Sequence, residues 1–304
     1  MTESEVAGNS NTIGQQKGET EMKTGLVLEG GAMRGIYTAG VLDVFLEQGI
    51  QFDGVIGVSA GALHGCSFVS GQKGRSLRYF KKYRNDKHFM SWWSFLHTGE
   101  VVGKEFCYHE IPERLDPFDY EAFIKSSTEF YATCTNVETG KAEYIRITDM
   151  LTQIDAMRAS ASMPYVSRIV NYKGMKLLDG GCADSIPVEA FRKMGYDRIV
   201  VVLTRETGYV KKPENAKMAE IRYHRYPEFV HTLENRHKIY NHSLHVIKDL
   251  EQKGEVFIIQ PYKKLDISRM ETNLHVIQSA YDLGGKDARI RMKALKEWLE
   301  AAQQ

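Results

Sequence analysis

The chain has 304 residues, of which 26% are charged and 42% hydrophobic, and its formal net charge is +1. That length carries one large domain or two smaller ones with a proper core, and the near-neutral balance gives no electrostatic reason to expect a nucleic-acid partner. No uninterrupted apolar stretch is long enough to span a bilayer, and the four scattered cysteines (66, 107, 134 and 182) form neither a zinc pattern nor a C-x-x-C pair. No metal site is therefore expected, and the thiols read as reduced groups of a cytoplasmic protein.

Residues 1–22 are polar and rich in Gly, Ser, Asn, Gln and Glu, without the basic start and apolar middle of a signal peptide. They read as a disordered tail. Gly25–Glu29 is a short buried strand broken by Gly30-Gly31, and a helix follows from about Met33 to Gln48, stopped by Gly49. A second apolar run ends at Gly57-Val58-Ser59-Ala60-Gly61, and a helix follows to about Val69. Strand, helix, strand, helix with short connections is the signature of a parallel sheet covered on both faces, which makes this an α/β chain. Right-handed crossover then brings Gly30-Gly31 next to Ser59.

Between Arg75 and Arg114 the pattern is less regular. The aromatic cluster 88–96 suits either a core-covering segment or a lipid-facing wall. Strands are expected at 129–136 and 142–146, then a small-residue helix at 155–162 ended by Pro164. A second hairpin should pair 166–170 with 175–178 and end at Asp179-Gly180-Gly181. Pro187–Met194 reads as helix and Arg198–Leu203 as the clearest buried strand. Beyond Thr204 the chain is charged and mostly helical, broken at Pro227. A late strand at Val256–Ile259 should rejoin the main sheet, and a terminal helix over 288–302 should pack through Ile290, Ala294 and Trp298. The expected organisation is thus a core over 23–205 and a helical extension over 206–304.

Gly57–Gly61 is a G-x-S-x-G nucleophile elbow in its proper context of strand, sharp turn and helix. Small neighbours let the turn close and leave the Ser59 hydroxyl clear of the sheet. Acyl transfer also needs donors where the carbonyl oxygen becomes negative. The small-residue turn Gly30-Gly31-Ala32, backed by a helix start, can supply unpaired N–H groups. Arg34 stands where the helix dipole disfavours a cation, so a carboxylate or an anionic headgroup is expected to hold it; Gly35 follows. For a base, His231, His237, His242, His245 and His275 sit in polar helical sequence without a glycine-marked loop. His64, five residues along the helix, is turned off the face of Ser59. Asp179 is the better candidate, at a strand end before two glycines, though Asp-Gly is also ordinary turn punctuation.

Together these segments make the chain resemble the patatin-like phospholipases, lipid acyl hydrolases with a Ser–Asp dyad. The likeness rests on Gly30–Gly35, Gly57–Gly61, Arg158-Ala159-Ser160-Ala161-Ser162-Met163-Pro164 and Asp179–Gly181, in that order, and covers about Lys23 to Leu203. The family pattern has Asp at the place of Glu29 and glycine at that of Ala32, whose methyl would narrow the hole if that residue needs positive φ. The resemblance implies a three-layer sandwich with a mostly parallel central sheet and helices on both faces. It further implies an acyl-lipid or ester substrate, no cofactor, and activity of phospholipase A or lysophospholipase type. Ser59 would be the nucleophile, Asp179 the general base, and Gly30, Gly31 and Ala32 the oxyanion hole, supported by Arg34, Gly35, Gly57, Gly61, Gly180 and Gly181. Such a protein would be cytoplasmic with room for transient contact at a membrane surface. Two other readings compete: a Ser–His–Asp α/β-hydrolase, which would need one of the late histidines, and a dinucleotide- or phosphate-binding module at Leu26–Gly35. The latter lacks the third glycine of G-x-G-x-x-G and any Gly-Lys-Ser/Thr.

Overall fold

The computed structural model describes residues 22–215 and 217–301, so the expected N-terminal tail lies, but for Met22, outside the described residues. Eight strands form one sheet in the order β5-β6-β3-β2-β1-β7-β8, with β4 also paired to β3. Strands β1 (Thr24–Leu28), β2 (Gly54–Val58), β3 (Glu129–Asn136), β7 (Arg198–Val202) and β8 (Val256–Ile259) run parallel. Strands β4 (Ala142–Ile147) and β6 (Met175–Asp179) are antiparallel to β3, and β5 (Val170–Tyr172) to β6. The second hairpin is therefore shorter and later than expected. Val166–Ile169 contributes no strand, and the Val166 carbonyl accepts from the Val101 amide at 2.9 Å.

Side chains alternate between the two faces of the sheet, as the period of two requires. Leu26, Leu28, Val55, Val200 and Val202 meet the buried faces of α1 (Gly35–Glu47) and α2 (Ala60–Val69). Val27, Ile56, Ile199 and Val201 meet Phe191 of α7 (Val188–Lys193) and Tyr240, Ile247 and Leu250 of α9 (Pro227–Gln252). The result is an α/β sandwich with helices on both faces of a mostly parallel sheet. Short helices α3 (Arg75–Tyr83), α4 (Trp92–Thr98), α5 (Tyr120–Lys125) and α6 (Ile154–Ser160) complete the first half, with a wide-turned helical stretch at Phe106–Leu115. Pro227 opens α9 rather than breaking a helix, since a first-turn proline gives up an N–H that has no partner there. A six-residue helix, α8 (Lys217–Arg222), precedes it.

The last helix, α10 (Leu274–Glu300), starts fourteen residues before the expected position. Gly284-Gly285 lies inside this helix at its interface with α1. A Cβ added to Gly284 would run into the Tyr37 carbonyl, and one added to Gly40 into the Tyr281 carbonyl, so α1 and α10 cross backbone to backbone. The buried stripe is Ile277, Ala280, Gly284, Ala288, Met292 and Leu295. Ile290 is 68% exposed and Ala294 is exposed as well, correcting the expected packing face; of that trio only Trp298 packs, against Phe257 of β8.

Candidate active site

Strand register brings the two key residues together. Val58 pairs with Thr133, so Ser59 continues level with Cys134, and Cys134 pairs with Asp179. Ser59 and Asp179 thus lie on one line across β3, two strand spacings of roughly 4.8 Å apart at the backbone. Ser59 has φ +54° and ψ −121°, a conformation costly for any residue with a Cβ and diagnostic of a strained elbow. Gly57 and Gly61 permit it: a Cβ on the first would sit 2.5 Å from the Ala62 amide nitrogen, and one on the second would strike the Leu28 carbonyl.

Gly30 abuts the elbow directly, since its Cβ position lies 3.2 Å from Ser59 Cβ, and the Gly31 position lies 2.7 Å from Thr204 Oγ1. Gly35 packs on Ala60 in the same way, its Cβ position 2.6 Å from Ala60 Cβ. Among the described residues, the amides of Gly30, Gly31 and Ala32 donate to no protein acceptor, so this turn holds free donors beside Ser59. Ala32 does take positive φ, +47°, where the family pattern has glycine. Glu29 is withdrawn from the site: its carboxylate accepts from Thr204 N at 2.5 Å and from the Tyr240 hydroxyl at 2.7 Å.

Asp179 is buried, and loss of water raises its pKa; the Ser59 hydroxyl, Arg236 and the Gly181 amide oppose that shift in decreasing order. Its Oδ1 accepts from Gly181 N at 2.8 Å. The Ser59 hydroxyl is close enough to influence Asp179 but does not make a direct hydrogen bond of ordinary geometry with it. Gly180 lies so close under Thr133 that a side chain there would meet the Thr133 carbonyl.

Two groups that sequence reasoning left without a role fix this pair. Ser160 Oγ accepts from Ser59 N at 3.0 Å and donates to Thr133 O at 2.7 Å, while Ser162 O accepts from Asp179 N at 2.8 Å. The 158–162 segment therefore ties both candidate residues to β3. Arg158, at its start, pairs with Glu100 at 3.2 Å and Asp155 at 2.9 Å. The segment's small-residue composition was the available signal, but only the register reveals what it touches. Arg236 of α9, far from the motifs, donates from Nε to Gly181 O at 2.6 Å.

Two cavities meet at Ser59. One, of about 110 Å³, is walled by apolar side chains including Met33, Leu63, Phe80, Phe89, Ile111 and Met157. The other, of about 340 Å³, contains Asp179 together with Arg34, Arg205, Lys211, Arg236 and Arg269. Arg34 finds no carboxylate within 4.0 Å among the described residues, and its buried Nε has no hydrogen-bond partner. The aromatic cluster divides: Phe89 is buried, whereas Trp92 is 60% and Leu96 80% exposed, with Trp92 at the rim of the larger cavity. None of the five late histidines lines either cavity. His64 lines the apolar one, but it is buried against Ser76 Oγ at 3.0 Å, and desolvation pushes its pKa down to about 4. No group of three metal-ligating side chains occurs among the described residues, and no described helix is long and apolar enough to cross a membrane.

A family model for patatin-like phospholipases matches residues 26–192, more than half of the chain. The chain belongs to the patatin-like phospholipase family. It is thereby a lipid-hydrolysing enzyme of the esterase type, and the patatin-like region contains both Ser59 and Asp179. A second family model, described as a domain of unknown function (DUF6363), matches residues 226–300. The chain is similar to the Escherichia coli K12 protein YjjU, with 26% identity over 85% of this chain and 74% of that one. It also resembles lysophospholipase NTE1 of Cryptococcus neoformans, with 29% identity over 59% of this chain but only 11% of the relative's length. Among solved structures, VipD from Legionella pneumophila aligns with TM-score 0.48 and 12% identity, covering 90% of this chain and 67% of VipD.

Proposed function

We propose that this patatin-like protein hydrolyses acyl-lipid esters, in the manner of a phospholipase A or lysophospholipase, through a Ser59–Asp179 dyad and an acyl-enzyme. The observation that carries this reading is the convergence of three things on one strained serine: a buried carboxylate, a turn with free amides and an apolar cavity. Asp179 takes the proton of the Ser59 hydroxyl as Oγ attacks the ester carbonyl. The amides of Gly31 and Ala32, with Gly30 beside them, face the negative charge that develops on the carbonyl oxygen. Asp179 then gives its proton to the departing alcohol, leaving the acyl group on Oγ. A water attacks the acyl carbon, loses a proton to Asp179, and the fatty acid leaves as Ser59 regains its proton. A carboxylate of ordinary basicity is a weak partner for a hydroxyl, and the burial that raises the Asp179 pKa improves that match.

The placement of the histidines favours a dyad over a triad, since the late ones lie away from both cavities. The apolar cavity suits the acyl chain. The exposed Trp92 and Leu96 on α4 suit transient contact with a membrane surface. A fluorophosphonate probe is expected to label the wild-type chain and not Ser59→Ala, and Asp179→Asn is expected to lower ester turnover by about 10²–10⁴-fold. Unlabelled Ser59 together with undiminished activity in Asp179→Asn would overturn the dyad. For the membrane contact, Trp92→Ser with Leu96→Ser is expected to reduce co-sedimentation with lipid vesicles; unchanged binding would remove that part of the reading.

A further inference from the structure

The larger cavity has a composition that ester hydrolysis alone does not require. Arg34, Arg205, Lys211, Arg236 and Arg269 face three carboxylates: Glu29, Asp179 and Glu214. Glu29 is saturated by Thr204 and Tyr240, and Glu214 is engaged by Lys211 at 3.4 Å. Arg34, Arg205, Arg236 and Arg269 have no carboxylate within 4.0 Å among the described residues. Burial, then the charge of Arg205, lowers the Arg34 pKa, so like charges are being held together at a cost. Buried polar groups without partners are uncommon in folded proteins, and Arg34 Nε is one. Guanidinium groups present planar forks that match phosphate oxygens, two at a time. A phosphate monoester carries about −1.5 to −2 charges near pH 7, close to the surplus of cations over carboxylates here. The volume, about 340 Å³, lies in the range of small-ligand sites and exceeds what a bare anion needs.

We infer that this chamber binds the phosphate monoester headgroup of the acyl substrate, so that the enzyme prefers lysophosphatidate-like lipids over zwitterionic or neutral ones. The inference rests on the reading of Ser59 as an ester-cleaving nucleophile. It assigns the selection to residues outside the patatin-like match at 26–192: Arg205, Lys211, Arg236 and Arg269 all follow it, and the last two fall within the second match at 226–300. With the acyl chain in the apolar cavity and the phosphate in the cationic one, the scissile ester spans Ser59. Only Arg34 comes from the core, one turn from the amides of Gly31 and Ala32.

The experiment compares kcat/KM for three lipids with one acyl chain: lysophosphatidate, lysophosphatidylcholine and monoacylglycerol. The full chain is used, with p-nitrophenyl butyrate as a headgroup-free ester. Lysophosphatidate is expected to exceed both other lipids by at least about tenfold, which corresponds to about 1.4 kcal/mol. Arg205→Gln and Arg269→Gln should each shrink that ratio several-fold, mainly through KM, with partial recovery in the lysine variants. Equal kcat/KM across the lipids, or a ratio that neither glutamine variant moves, would overturn the inference. Calorimetric titration with glycerol 3-phosphate and with inorganic phosphate separates the sources of phosphate. Glycerol 3-phosphate binding that weakens in Arg269→Gln supports the inference. Inorganic phosphate binding equally well, with no lipid preference, makes the chamber a free-anion site and overturns it. Absence of turnover on every ester, p-nitrophenyl butyrate included, with no serine labelling, would instead sink the hydrolase reading, and the titration would still decide whether the chamber takes a phosphate headgroup.

Discussion

As the proposed base, Asp179 would have to be ionised to accept a proton, yet the fold opposes its ionisation. Its folded-state pKa lies above the unfolded value because burial outweighs the help from Ser59, Arg236 and Gly181. Activity is therefore expected to rise with pH along a limb displaced above the ordinary carboxylate range, and a kcat/KM profile checks it. A limb at the usual carboxylate pKa would show that the buried carboxylate is not the titrating base. The same displacement has a sign for stability. The folded state holds the proton more tightly, so this group's contribution is most favourable at low pH and is lost as pH rises through the raised pKa. Asp179→Asn should accordingly gain in melting temperature relative to wild type between acidic and mildly alkaline pH, even as it loses turnover. At this scale the sequence is most legible. Ser59, the Gly30–Ala32 turn and Asp179 can be picked out because each sits at a strand end among small residues; each context alone also suits an ordinary turn, and it is their order along the chain that singles them out. Ser160 and Arg236 stay hidden because a serine in a small-residue helix and an arginine in a charged one look ordinary until a register is known.

Among the elements, α10 packs on the helix that follows the free-amide turn. It lies backbone to backbone on α1, with Tyr37 donating to Asp287 at 2.9 Å and Tyr281 bonded to Asp43 at 2.5 Å. The turn at Gly30–Ala32 leads straight into α1, so displacing α1 displaces those amides. Gly284→Ala should push the helices apart and cost on the order of 1–3 kcal/mol, read as a lower melting temperature, with turnover falling more than folding alone explains. A variant as stable and as active as wild type would show that the close crossing is unimportant. Sequence reading placed α10 fourteen residues late, since only the spacing of Ile290, Ala294 and Trp298 marked it as a helix. The earlier start has a tertiary reason: Gly40 and Gly284 let the two backbones come this close, and nothing local in either segment records the other. Likewise the stripe Ile290, Ala294, Trp298 has helical spacing, but the face that packs is chosen by the position of α1.

For the molecule as a whole, the patatin-like region and the C-terminal extension share one sheet and one site. Strand β8 pairs with β7, Arg236 holds the Gly181 carbonyl, and α10 covers α1. Unfolding in urea is therefore expected as a single transition, with tryptophan fluorescence and far-UV circular dichroism coincident. Two separated transitions would mean that the regions fold independently. The α/β class and the helical character of the extension could be read from period and composition. The cationic chamber could not, because its five charges come from four distant stretches that only the tertiary fold brings together. Strand β8 has one more consequence. Val256-Phe257-Ile258-Ile259 is uncharged, aromatic and β-branched, and it occupies the outer edge of the sheet. In the native state its side chains are buried and its length is only four residues, which leaves a neighbouring chain little to pair with. Once α10 is lifted, the same four residues become a template for intermolecular association. Heating should then end in precipitate rather than in a recoverable chain, and the apparent melting temperature should drift upward as the scan is made faster.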